Sequence, residues 1–279
     1  MELNLLRLCR DLNNDSYAHG GYDHKIVNEK KRRDIAVAGV ADRVVHRLLY
    51  DYLVPLVDKR FDYDVWSCRE GKGLHQALQR SQKLLVKHPA AWIWRADIRK
   101  FFDSVPHGRL LEVIARTLDC ESAKELFEVV VVSYSTQANT QIASGLPIGN
   151  LTSQILANLY LNEFDVFVRT NLKPLEYLRY GDDFIMILPR KDIAESARKH
   201  AAAKLEKLGL AINSKQDIII RSWQGLHFLG HVIGNQNIRV ERKTAKAINR
   251  NIALRNITTY RSLLINEELS QLLPWLVRL

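Results

Sequence analysis

Three aspartates set the chemistry open to this chain. Asp97 lies near the end of the alternating segment WIWRADI, and Asp182 and Asp183 stand side by side in YGDDF at 180–184. Carboxylates brought within a few ångströms of one another repel unless cations intervene, so such a cluster is costly without a metal. Magnesium suits it, because this ion prefers oxygen ligands and is held by one or two carboxylates, with waters and substrate phosphates completing its shell. Two such ions about 3.5–4 Å apart can stabilise both the attacking and the leaving oxygen of an in-line phosphoryl displacement. One would activate a primer 3′-hydroxyl while the other neutralised charge on a triphosphate. The chemistry expected is therefore nucleotidyl transfer with two magnesium ions, manganese being the alternative. The candidate metal ligands are Asp97, Ile98, Asp182 and Asp183.

These residues can act together only if the chain delivers them to one place. WIWRADI at 92–98 alternates as a half-buried strand does, and Pro106 with His107 opens a helix through Leu118. GLPIG at 145–149 is a loop, after which Thr152 or Ser153 can cap the apolar-periodic run from Gln154. Residues 175–188 read as two short strands joined by a tight turn at Gly181 and Asp182. A helix over 192–208 stops at Gly209, and AINSKQDIII and HFLGHVI then look like strands. Earlier, apolar spacing predicts a helix within 34–58, with Asp42 as its N-cap. The order matches a split βαβ arrangement, an antiparallel sheet backed by two helices. In it Asp97 and the hairpin tip share one edge. Asp103 is the rival to Asp97, which is preferred because it sits at the strand's end, leaving Asp103 to face solvent or cap the next helix.

Composition frames the partner. The 279 residues carry a formal charge of +10 and are 47% hydrophobic, which suits a globular protein with a polyanionic partner, although a solvated basic face would give the same charge. KKRR at 30–33 and a basic carboxyl-terminal region bracket a more acidic middle. No stretch approaches the roughly 20 apolar residues of a membrane span, and the amino terminus lacks the pattern of a secretory signal. Cys9, Cys68 and Cys120 form no CxxC pair, suggesting neither a disulfide framework nor a zinc cage. A cytoplasmic location away from membranes is expected.

The motifs resemble those of reverse transcriptases over about residues 25–235. YGDDF is similar to the family's YxDD turn, and ADIRKFFDSVP at 96–106 resembles its first catalytic block. On that resemblance Asp97 is a metal ligand, and Phe102 is the aromatic that excludes a ribose 2′-hydroxyl; taken alone, Phe102 reads rather as a core aromatic. GLPIGNLTSQ at 145–154 resembles the loop and helix beneath the templating base pair. Most family members are similar to QGxxxSP there, whereas the Ile148, Gly149, Ser153 and Gln154 of this chain resemble the diversity-generating retroelement type, which miscopies template adenines.

Further blocks imply nucleotide contacts at Lys31, Arg33 and Arg69, alongside Phe102 and Gln154, and a catalytic Lys215 that protonates the departing pyrophosphate. The fold implied is α+β, a right-hand polymerase with fingers over 1–90, palm over 91–238 and a short or truncated helical thumb over 239–279. Template RNA, primer or cDNA, deoxynucleoside triphosphates and a small basic accessory protein are the implied partners. The alternatives are a polymerase of a phage-defence or group II-like element and a non-catalytic nucleic-acid scaffold, the latter disfavoured by the presence of all three carboxylates.

Overall fold

The computed structural model describes residues 2–28, 32–136 and 143–251. In chain order it contains α1 (Glu2–Asn13), the hairpin β1 (Tyr22–Asn28) and β2 (Arg32–Ala38), α2 (Val40–Val57), α3 (Leu74–Lys87) and β3 (Trp92–Asp97). The short α4 (Phe101–Ser104), α5 (His107–Thr117), α6 (Glu121–Val132) and α7 (Leu151–Phe167) follow. Next come β4 (Glu176–Tyr180), β5 (Asp183–Leu188), α8 (Lys191–Lys207) and β6 (Ile218–Arg221). The described chain ends with β7 (Leu226–Phe228), β8 (His231–Ile233), β9 (Ile238–Val240) and α9 (Arg242–Asn251). Two compact units share these elements. One takes the described chain up to Asp62 with Ile98–Phe167 and Ala202–Ile212; the other takes Tyr63–Asp97, Val168–Ala201 and the described chain from Asn213.

The second unit is built on a four-stranded antiparallel sheet ordered β4-β5-β3-β6. DFIMIL in β5 is a near-continuous apolar run, as expected of a strand covered on both faces. On one face Ile93, Leu178, Ile185 and Ile187 bury against Leu78, Leu84 and Leu85 of α3 and against Leu226, Phe228 and Ile233 of the β7–β8 hairpin. Each such side chain removed from water contributes about 1.5–3 kcal/mol. On the other face the Trp94 ring meets Phe184 edge-on, with centroids 5.3 Å apart. Its indole Nε1 donates to Asp217 Oδ1 at 2.8 Å, and Arg198 of α8 lies 2.7 Å from the other Asp217 oxygen, which ties that helix to the sheet.

In the first unit, Val45, Leu49 and Leu53 of α2 and Ile155, Leu156 and Leu159 of α7 are buried. The loop leading into α7 docks on β2: the Ala36 N–H donates to the Ile148 carbonyl at 3.1 Å, and Asn150 Nδ2 donates to the Ala36 carbonyl at 2.8 Å.

Several sequence expectations need correction. The helix expected within 34–58 begins at Val40, and residues 34–38 belong to β2, where Ile35 and Val37 alternate with Ala36 and Ala38 across a hairpin. Asp42 is no N-cap; it lies inside the first turn of α2, buried, accepting hydrogen bonds from Tyr17 Oη at 2.7 Å and from the Gly20 N–H at 3.3 Å. Thr152 and Ser153 likewise sit inside the first turn of α7. The segment 211–220 is a 3-10 turn (Ser214–Gln216) followed by the short β6, and HFLGHVI is two strands of a hairpin. Among the described residues no helix is long and apolar enough to cross a membrane. Lys31 and the chain from residue 252, including most of the expected thumb, lie outside the described residues.

Gly149 tests the docking of the α7 loop. Its φ is +109°, and an added Cβ would fall 2.7 Å from Ile35 Cγ2 on β2. Gly149→Ala is expected to cost about 1–3 kcal/mol from backbone strain, with the steric overlap in addition. Urea denaturation measures this, and a loss under about 0.5 kcal/mol, the range of an ordinary surface change, would contradict the described packing.

Candidate active site

The aspartates meet because of strand register. β3 and β5 are neighbours with Asp97 directly opposite Asp183, and β4 and β5 close with Tyr180 opposite Asp183. That leaves Gly181 and Asp182 as a two-residue turn, and Gly181 adopts φ +65°, the positive value a Gly-first hairpin turn requires. All three carboxylates thus lie at one end of the sheet, within the second unit. Asp97 is 8% exposed.

Their electrostatics differ. Burial pushes the Asp182 carboxyl up to about 7, and the Asp97 carboxylate beside it, which also shares a hydrogen bond with it, acts in the same direction. Burial raises Asp183 too, with Asp97 and Glu241 adding to the effect, but Arg95 opposes the rise. Arg95 lies two residues before Asp97 on the same strand face. Its Nε and Nη2 donate to the two oxygens of Asp183 at 3.0 and 2.8 Å, a bidentate pair. The same Nη2 donates to Gln216 Oε1 at 2.9 Å, and the guanidinium carbon lies 5.9 Å from the centre of the Phe228 ring. Asp97 is held twice by Asn213, whose backbone N–H donates to the Asp97 carbonyl at 2.8 Å and whose Nδ2 donates to Asp97 Oδ2 at 3.1 Å.

Among the described residues no group of three His, Cys, Asp or Glu side chains forms a ready-made ion cage. Asp97 and Asp182 face one another, while Asp183 is turned to Arg95. Two oxygen donors whose joint ionisation is disfavoured without a cation fit a hard dication such as magnesium, which takes one or two carboxylates and fills its shell with water and phosphate.

The other candidates are distributed as follows. Lys215 is exposed in the 3-10 turn of the second unit, between Asn213, which holds Asp97, and Gln216, which holds Arg95. Arg69, half-buried in the same unit, donates from Nη1 to the Val65 carbonyl at 3.2 Å. Ile98 is buried in the first unit, bridged to Ile212. Phe102 is half-buried in α4 of the first unit, and its carbonyl accepts from the Leu146 N–H at 2.7 Å, which joins it to the GLPIG loop. Gln154 is exposed in the first turn of α7. Arg33 is placed by its backbone in β2 opposite Val27. Sequence reasoning missed Arg95, Asn213 and Gln216. Only Arg95 carries a signal, as the one charged residue inside an otherwise apolar strand before Asp97.

The likeness to known proteins is extensive. Protein YkfC of Escherichia coli (strain K12) is 26% identical over 239 residues, covering 72% of this chain and 63% of that protein. The group II intron-encoded protein LtrA of Lactococcus lactis subsp. cremoris is 25% identical over 143 residues, covering 50% of this chain and 24% of that protein. The chain thus spans less than two-thirds of the length of these curated relatives. Among solved structures, telomerase from Candida albicans in complex with a fragment of telomeric RNA superposes with a TM-score of 0.57 at 12% identity, over 87% of this chain and 48% of that one. Telomerase from Candida tropicalis gives 0.55 at 14% identity, over 79% and 44%. These two establish the fold as the α+β fold of polymerase fingers and palm. The model of the family described as reverse transcriptase (RNA-dependent DNA polymerase) matches residues 22–233, most of the chain, and the chain accordingly belongs to the reverse transcriptase family.

Proposed function

We propose that the chain is an RNA-directed DNA polymerase that extends a primer by two-metal nucleotidyl transfer at Asp97, Asp182 and Asp183. The observation that carries this reading is the pair of facing carboxylates, Asp97 and Asp182, beside a third held by Arg95 at one end of an antiparallel sheet. Bound magnesium ions would activate the primer 3′-hydroxyl and neutralise charge on the triphosphate. Asp97, Asp182 and Asp183 would hold the ions, together with Ile98, the residue that follows Asp97 in sequence. Asn213 aims Asp97 through two hydrogen bonds, and Arg95 with Gln216 fixes the orientation of Asp183. Lys215 protonates the departing pyrophosphate; Lys31, Arg33 and Arg69 contact triphosphate or template; and Phe102 excludes a 2′-hydroxyl. Residues 1–90 serve as fingers, 91–238 as palm and 239–279 as a short thumb, for which the basic sequence RKTAKAINRN of α9 is the support. Template RNA, primer and deoxynucleoside triphosphates are the substrates. A small basic accessory protein is the partner, and the cytoplasm the place of work.

For the subtype, Ile148, Gly149, Ser153 and Gln154 support error-prone copying in a diversity-generating retroelement. A group II-like element is the second reading, and the similarity to LtrA supports it. Gln154 decides between them. Where a proline would remove an N–H, Gln154 keeps it and adds an amide near the template position. In the first reading, Gln154→Pro lowers misincorporation opposite template adenine, scored by sequencing cDNA; an unchanged adenine error rate favours the second.

The central test is magnesium-dependent deoxynucleotide incorporation on a primed RNA template. The double variant Asp182→Asn, Asp183→Asn should lose at least about a hundredfold in rate, since several kcal/mol of charge stabilisation disappear. Incorporation at the wild-type rate would overturn the proposal.

The raised Asp182 carboxyl makes a second test. In the metal-free folded protein it keeps its proton up to about pH 7, whereas its ordinary value is 3.8. The folded state therefore binds more protons than the unfolded chain between these values, so stability is lost as pH rises through that window. Metal-free Asp182→Asn should melt several degrees above wild type at pH 8, with the gain shrinking by pH 5. Magnesium should raise the wild-type melting temperature at pH 8 more than that of the variant. Identical melting at pH 8 would argue against burial and repulsion at this carboxyl.

A further inference from the structure

A two-residue turn carrying a carboxylate opposite another carboxylate should swing away, yet this turn is tied down from beneath. The Gly181 N–H donates to Ser67 Oγ at 2.8 Å, and the Gly181 carbonyl accepts from Arg179 Nη1 at 2.9 Å. These two groups belong to the two peptide planes flanking Gly181, and those planes set its φ and ψ. Fixing both fixes the direction in which the next side chain, Asp182, leaves the turn.

The ties are built in. Arg179 is 0% exposed, and Ser67 is buried. The segment before Ser67 runs alongside β4 as a short parallel addition: the Trp66 N–H donates to the Arg179 carbonyl and the Arg179 N–H to the Asp64 carbonyl, each at 2.9 Å. Asp64, buried, anchors that segment in turn. It takes Arg80 bidentately at 2.8 and 2.9 Å and the Trp66 indole at 3.1 Å. The chain from Asp64 to Ser67 is thus a braced strip whose end delivers one hydroxyl to the turn.

We propose that Ser67, with Arg179, is a positioning residue that locks the Gly181–Asp182 turn so that Asp182 faces Asp97 before any ion arrives. This rests on the metal-dependent polymerase reading above and deepens it. The lock does two things. It opposes the mutual repulsion of the carboxylates, and it lowers the ordering that ion binding must otherwise impose.

The test compares Ser67→Ala with Ser67→Thr, which keeps the hydroxyl, in the full chain. Manganese affinity is read by paramagnetic resonance, incorporation is split into kcat and the KM for primer–template, and amide exchange is followed at Gly181. Ser67→Ala should melt close to wild type and exchange its Gly181 amide faster. It should lose about tenfold to a hundredfold in manganese affinity and in kcat, the range for residues that orient metal ligands. Its KM for primer–template should not move, and Ser67→Thr should restore both losses and the slower Gly181 exchange. Wild-type manganese affinity and kcat in Ser67→Ala, or equal losses in Ser67→Thr, would overturn the assignment. Should the wild type itself bind manganese no better than Asp97→Asn, the polymerase reading fails instead. Gly181 exchange then decides the lock alone: faster exchange in Ser67→Ala upholds it, and unchanged exchange overturns it.

Discussion

Two carboxylates held face to face at the end of a sheet are a standing electrostatic cost, and much of the second unit can be understood as bearing it. Burial and mutual proximity raise the Asp182 carboxyl to about 7, so near neutral pH the pair resists full ionisation unless a cation joins it. The third carboxylate is managed differently. Arg95 supplies a fixed counter-charge to Asp183 through a bidentate contact, and Gln216 holds the guanidinium in place. One acid is thereby aimed and given a partner that opposes the rise burial causes, while the facing pair is left for an external charge to complete.

Holding such an arrangement demands a stiff support, and the packing supplies it. β5 lies between β4 and β3, with apolar side chains on both faces. α3 and the β7–β8 hairpin cover one face, and the other carries the Trp94–Phe184 contact. A slip of one residue between β3 and β5 would turn every one of these side chains to the wrong face and would also part Asp97 from Asp183. The hydrophobic pattern that specifies the register therefore also specifies the site.

This dependence explains what the sequence disclosed. β3 and the β4–β5 hairpin were legible because WIWRADI alternates, and Gly181 with Asp182 punctuates two apolar runs. The candidate aspartates were legible for the same reason: motif and strand end coincide. The hairpin of β1 and β2 was not, since Tyr22–Asn28 is mostly polar, its Ile26 is exposed, and a strand without a buried face leaves no period to detect. The apolar residues of β2 lie in one apolar stretch with those of α2, only Gly39 coming between, so the helical spacing after Asp42 stood out and the strand before it did not. Asp42 looked like a cap for want of knowing that Tyr17 and Gly20 converge on it.

The residues that aim the site were hidden more deeply. Asn213 is 116 positions from Asp97, and Ser67 is 114 from Gly181. No local spacing encodes such pairs. A serine after a buried tryptophan and an arginine before a tyrosine are unremarkable in one dimension; they acquire meaning only when the strip from Asp64 runs beside β4. Chemistry-bearing residues must meet a substrate whose demands are general, so their types and spacing repeat across a family and can be read. Supporting residues answer only to the particular backbone they brace. A serine, an arginine or an asparagine can each satisfy a given peptide group, and which one does so is settled by register and packing, the last things a sequence reveals.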